Sequence, residues 1–125
     1  MRSQAGANVQ NKMSYYIELS LCYKYNVHMV KLEFEWDKKK DGINVKKYGV
    51  SFDEAQTVFY DEQAIQFFDP EHSDDEDRFI LLGTSFKLNT LVVCHCFRED
   101  DTKIRIISAR KAVKEEEKFY WSSRK

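Results

Sequence analysis

The stretches RFILLGTSF (residues 78–86), TLVVCHCF (90–97) and KIRIIS (103–108) decide the fold. Each is a short apolar run rich in β-branched and aromatic residues, and short polar segments separate them, which is the rhythm of antiparallel strands joined in a meander. AIQFFD (64–69) supplies a fourth run on the N-terminal side. Within the last run, Ile104 and Ile106 fall on one side of a strand, and Arg105 with Lys103 on the other. The sheet is therefore expected to be apolar on a helix-covered face and basic on an open one, with Arg110 reaching the same basic region from the strand exit.

Upstream of the meander the period changes. KLEFEWD (31–37) reads as a short strand ending at Asp37, a residue suited to cap a helix over KKKDGINVKKYG despite the internal Gly42. Gly49 stops that helix. Ser51 starts another, with Glu54 at capping-box spacing and Phe52, Ala55 and Phe59 on one face. After the meander, the stretch from Arg110 onward, KAVKEEEKFYW, is helical in pattern, with Ala112, Glu116 and Tyr120 aligned. The expected class is α+β: a four-stranded antiparallel meander sheet plus a short N-terminal strand, packed with two N-terminal helices and a C-terminal helix.

The 125 residues suit one domain, and 42% hydrophobic with 33% charged residues is ordinary for a globular chain. Residues 1–14 are polar, small and aperiodic, as in a disordered tail. Between Tyr15 and Met29 apolar residues alternate with polar ones, so 15–31 is expected to be an N-terminal extension holding an extra strand or hairpin, and 32–125 the main domain. No stretch has the length of a membrane span or the form of a signal peptide.

The net charge of −1 conceals an uneven distribution. Ten acids and no Lys or Arg lie between residues 53 and 77, whereas 102–125 carry eight Lys/Arg against three Glu. A basic end can face a polyanion or simply be solvated. Cys22, Cys94 and Cys96 form no C-x-x-C pair and fit a reducing compartment. A metal on Cys94, His95 and Cys96 is disfavoured, because neighbouring side chains of a strand point to opposite faces. His72 lies among acids that would repel a polyanion and is expected, with Ser73, to form a turn and helix-cap element.

FEWDKKK, KKYGVSFDEAQTVFYD, DPEHSDDEDRFILLGTS and IRIISARKAVKEEEKFY, in that order from about Leu32 to Tyr120, resemble the BrnT-type toxins of type II toxin–antitoxin systems, within the RelE-like superfamily. The resemblance implies a RelE-like fold, RNA cleavage without metal or other cofactor, blocked translation and growth arrest in the cytoplasm. It also implies neutralisation by a BrnA-type antitoxin, a ribbon-helix-helix protein through which alone operator DNA is bound. Carried over residue by residue, it points to Arg78, Arg105, Arg110, Glu116 and Tyr120 as catalytic candidates. Lys103, Lys111 and Lys114 are the candidates for RNA binding. Chemically, such cleavage needs a base for the 2′-OH, cations for the charge on the phosphorane, and an acid for the leaving 5′-oxygen. Arginines suit the second task, Glu116 the first, and Tyr120 proton donation or base stacking. The chain departs from the family pattern in having Tyr48 where a histidine is usual, and Glu117 where a basic residue follows the helix acid. A module that binds RNA or antitoxin without cleaving is the alternative.

Overall fold

In the structure, a computed structural model, residues 33–99 and 102–124 are described. The expectations for the tail and for the alternating N-terminal segment lie outside the described residues. Strand β1 (Glu33–Glu35) leads into helix α1 (Lys38–Tyr48), helix α2 (Phe52–Thr57) and a 3-10 turn over Val58–Tyr60. Strands β2 (Ile65–Asp69), β3 (Arg78–Thr84), β4 (Thr90–Arg98) and β5 (Lys103–Lys111) follow, and helix α3 (Lys114–Ser123) ends the fold. The sheet order is β1-β5-β4-β3-β2. The four later strands form the antiparallel meander, and β1 joins β5 in parallel, Phe34 opposite Ile104.

The helix ends follow from local chemistry. Asp37 Oδ1 accepts hydrogen bonds from the backbone N–H groups of Lys39 and Lys40 at 2.8 and 3.4 Å, satisfying two of the free donors at the start of α1. Gly49, at φ 71°, takes the left-handed turn that ends α1 and donates its N–H to the Val45 carbonyl. Ser51 Oγ accepts from Glu54 N at 3.1 Å, but the reciprocal half of the capping box is replaced. The Glu54 carboxylate turns inward to accept from Ser85 Oγ at 2.7 Å and Asn89 Nδ2 at 2.8 Å, tying α2 to the β3–β4 turn.

Two faces of the sheet are occupied. The first packs on α1 and α2 through Phe52, Ala55, Val58, Leu81, Val93 and Ile106, all buried, with Phe34 and Trp36 closing its edge. The second was expected to be open, yet α3 covers part of it. Tyr120 is buried there against Leu82 and Val92, flanked by Ile80 and Ala112. α3 also starts four residues later than the periodicity suggests, because β5 runs on to pair Arg110 with Val92 and Lys111 with Leu91.

Two glycines give opposite expectations. A Cβ on Gly83 would lie 2.8 Å from Val58 Cγ1 and 2.9 Å from Ala64 Cβ, whereas one on Gly42 meets nothing within 4 Å. Gly83→Ala should therefore destabilise the fold by about 1–3 kcal/mol through overpacking. Gly42→Ala, in a helix interior, should stabilise it by about 0.5–1 kcal/mol. Urea denaturation of the two variants checks both signs.

Candidate RNA-cleaving face

Strand alternation alone would send Arg105 and Arg110 to opposite faces, since five positions separate them. A bulge brings them together: Cys94 pairs with Ser108 and His95 with Ile106, so Ile107 is skipped and the facing pattern shifts by one. Ile104, Ile106 and Ala109 then point into the first-face core, and Arg105, Ser108 and Arg110 share the second face.

Across the strands, this second face is laid out in rows. One row runs Ile65, Leu82, Val92, Arg110, and the next Phe67, Ile80, Cys94, Ser108. Beyond them Asp69 pairs with Arg78, while Cys96 pairs with Arg105 and Arg105 with Glu35. Arg105 and Arg110 are thus two rows apart, about 13 Å along the strand at ~3.3 Å per residue. They are held by different carboxylates, Arg105 by Glu35 and Arg110 by Glu116. Between α3 and the sheet lies a groove of about 310 Å³, apolar apart from its rim, lined by Phe67, Ile80, Leu82, Val92, Phe119 and the acids Glu115 and Glu116.

Each arginine is presented by a carboxylate. Arg110 donates to Glu116 through both terminal nitrogens, at 2.8 and 3.0 Å, a bidentate pair at the groove rim. Glu116 Oε1 also accepts from Val113 N at 2.9 Å. Arg110, above all, together with that backbone N–H, holds the Glu116 carboxyl below the usual carboxylate range against the opposing effect of burial. As it stands, Glu116 is a poor base and a good anchor. Arg105 donates to Glu35 Oε2 at 2.6 Å, and this bond likewise lowers the Glu35 pKa. Lys103 lies 3.4 Å from Glu99 and 3.7 Å from both Glu33 and Glu35. Glu76 brings the acidic loop onto the basic face, 3.2 Å from Arg98 and 3.9 Å from Arg78. The Arg78 Nε is buried without a hydrogen-bond partner. Lys111 and Lys114 are exposed.

Tyr120 stands apart from this group. Its side chain is 0% exposed and its hydroxyl donates to Asp61 Oδ2, so no ring face is open for a base. Burial first, and the Asp61 bond second, push its pKa above the ordinary phenol value. Asp61 also accepts from Thr84 N and Gln63 N, both at 2.9 Å, making it the joint between the 3-10 turn, β3 and α3. Cys94 and Cys96 belong to the second face, and burial raises both thiols. His95 points the other way, bonded to Gln66 Oε1 at 2.9 Å, so the three cannot converge on one ion. His72 sits in a 3-10 turn, its Nδ1 2.9 Å from Asp69 Oδ2. Glu35, Glu76 and Asp61 carry these contacts without a sequence motif to announce them.

The two lowered carboxyl pKa values set a sign for pH dependence. Groups depressed on folding stabilise the native state fully above their unfolded value, here near 4.5, and that contribution is lost as pH falls through the folded values. A Glu35→Gln/Glu116→Gln variant should therefore melt slightly below the parent at pH 7, and the gap should close as pH falls below 4.5 and through the lowered native values. The gap should shrink in high salt, because both pairs are partly solvated. Differential scanning calorimetry across that range checks it.

No helix among the described residues is long and apolar enough to cross a membrane. No curated protein matches the chain. Among solved structures, the crystal structure of the Brucella abortus ribonuclease toxin BrnT is similar, with a TM-score of 0.51 and 21% identity, and the match covers 67% of this chain and 100% of that one. That likeness is one of fold. The model of the ribonuclease toxin family BrnT, of type II toxin–antitoxin systems, matches residues 36–116, from just after β1 to Glu116 of α3 and so across the four strands of the meander and their arginines, and the chain belongs to that family.

Proposed function

We propose that this toxin is a metal-independent endoribonuclease acting in the cytoplasm, where its cleavage of RNA blocks translation. Its antitoxin in this reading is a BrnA-type ribbon-helix-helix protein. The observation that carries the catalytic part is the bidentate Arg110–Glu116 pair at the rim of the groove. A guanidinium fork already aligned by one carboxylate is matched to a second anion with the same two-oxygen geometry, a phosphodiester. When phosphate takes the fork, Glu116 loses the bond that lowers its pKa and regains basicity beside the reacting 2′-OH. Glu116 takes the 2′-OH proton as the 2′-oxygen attacks phosphorus, and Arg110 holds the charge of the phosphorane. The bond to the 5′-oxygen then breaks with a proton from water or from the now protonated Glu116 passing to that oxygen, which leaves a 2′,3′-cyclic phosphate and a 5′-hydroxyl. Arg105 and Arg78, two rows away, hold a neighbouring part of the strand.

A second reading is favoured by one observation: Arg78, Arg98, Lys103, Arg105 and Arg110 are all within ion-pair distance of carboxylates. Such a face suits a module that binds without cleaving. Incubating the purified full-length chain with RNA in excess EDTA separates the two. Fragments ending in a 2′,3′-cyclic phosphate are the expected result. Binding without cleavage, or cleavage only after Mg²⁺ is added, overturns it.

A further inference from the structure

The cations of the molecule divide by their surroundings. Those of the central and β1 side of the second face pair with acids, but Lys46, Lys47 and Lys111 are exposed and make no ion pair with another described residue. These three come from two elements that the fold joins. Asn44 of α1 bonds both the N–H and the carbonyl of Ala109 in β5. One helical turn further on, on the same face of α1, stands Tyr48. The residue is 40% exposed and the Lys47 ammonium lies 5.2 Å from its ring centroid, whereas Lys46, two positions back, lies on the opposite side of the helix. Lys111 is the next residue of the strand, and its carbonyl accepts from Arg110 Nη1 at 3.3 Å. Lys114 is left out of this group because Glu115, Glu116 and Glu117 adjoin it on the first turn of α3.

We infer that the corner where α1 ends beside the end of β5 is an RNA subsite, with Tyr48 as the platform on which one base stacks and Lys47 and Lys111 as contacts to the phosphates on either side of it. This rests on the ribonuclease reading and adds to it the path of the strand. Single-stranded RNA is held by a positive track with aromatic faces set into it, and an exposed phenol among unneutralised lysines is that combination. Through Lys111, the neighbour of Arg110 in β5, this track leads to the phosphate that Arg110 would hold.

The test uses the full-length chain and a short 2′-O-methyl single-stranded RNA, which binds but cannot be cleaved, followed by fluorescence anisotropy over a range of salt. Tyr48→Ala and Tyr48→Leu should weaken binding about 5- to 100-fold, whereas Tyr48→Phe retains it. The double change Lys47→Ala/Lys111→Ala should lower the slope of log Kd against log salt by about 1.4, at ~0.7 per phosphate contact. Lys39→Ala/Lys40→Ala, at the other end of α1, should leave both quantities alone. Melting temperatures of the variants separate lost binding from lost helix stability. The subsite is overturned if the wild type binds RNA and the Tyr48 and lysine variants bind it equally well, or if these variants keep RNA and lose only the antitoxin. If the wild type itself binds no RNA, the ribonuclease reading falls and the subsite with it.

Discussion

Asn44→Ala is expected to cost the fold about 3–5 kcal/mol, the largest loss of stability of any single substitution considered. Beyond Arg105, β5 has no neighbouring strand on its β1 side among the described residues, because β1 ends at Glu35. Asn44 fills that gap with its own amide. Nδ2 donates to the Ala109 carbonyl at 2.7 Å and to the Val50 carbonyl at 2.8 Å, while Oδ1 accepts from Ala109 N at 3.1 Å. The side chain is 5% exposed, so water cannot replace it without opening the packing of α1 on β5. Truncation strands two carbonyls and one N–H, each worth about 1–3 kcal/mol when buried and unpaired, with some relief by relaxation. Asn44→Asp should be at least as damaging, since a carboxylate there faces two carbonyl oxygens with no hydrogen to offer. Urea denaturation at neutral pH is the measurement. A change under about 0.5 kcal/mol for both variants would show that water reaches the Ala109 edge after all.

What could be foreseen from the amino-acid sequence follows the range of the interactions. The meander and the caps of α1 and α2 depend on residues close in the chain, and Asp37, Gly49 and Ser51 take the positions their chemistry suggests. The Glu54 carboxylate escapes its local partner because Ser85 and Asn89, more than thirty residues away, offer two donors inside the core. The bulge at Ile107 is invisible in the pattern IRIIS, although it alone puts Arg105 and Arg110 on one face. Tyr120 looks like a helix-surface residue in line with Glu116. The tertiary packing of α3 over Leu82 and Val92 buries it, and Asp61 takes its hydroxyl. Carboxylates set against the arginines were the least legible feature, since Glu35 meets Arg105 only through a parallel strand pairing over a separation of seventy residues. Charge counted along the chain separates an acidic middle from a basic end. In the fold, Glu76 bridges them.

Arg110→Ala is expected to lower the rate of RNA cleavage about 10²- to 10³-fold, the usual consequence of losing one electrostatic contact to a transition state. Its effect on stability should be small, because the side chain is 40% exposed and packs against the groove rim rather than inside it. Arg110→Lys keeps the charge but not the fork, so it should recover only part of the loss. The distance between the rows adds a discriminating comparison. Arg105 lies about 13 Å away at ~3.3 Å per residue and is anchored by Glu35 on the β1 side, whereas Arg110 is anchored by Glu116 at the groove rim. Arg105→Ala should therefore raise KM more than it lowers kcat, whereas Arg110→Ala should act mainly on kcat. Glu116→Gln completes the set. If the carboxylate is released as a base when phosphate takes the fork, this variant should lose the acid limb of the pH–rate profile as well as activity. If Glu116 only aligns the guanidinium, the limb should persist at reduced height. Steady-state kinetics on a short RNA, with calorimetry on each variant, read these outcomes directly. Equal kcat effects at Arg105 and Arg110 would mean that both act on the same reacting group, and the assignment of Arg110 as the sole reacting cation would have to be abandoned.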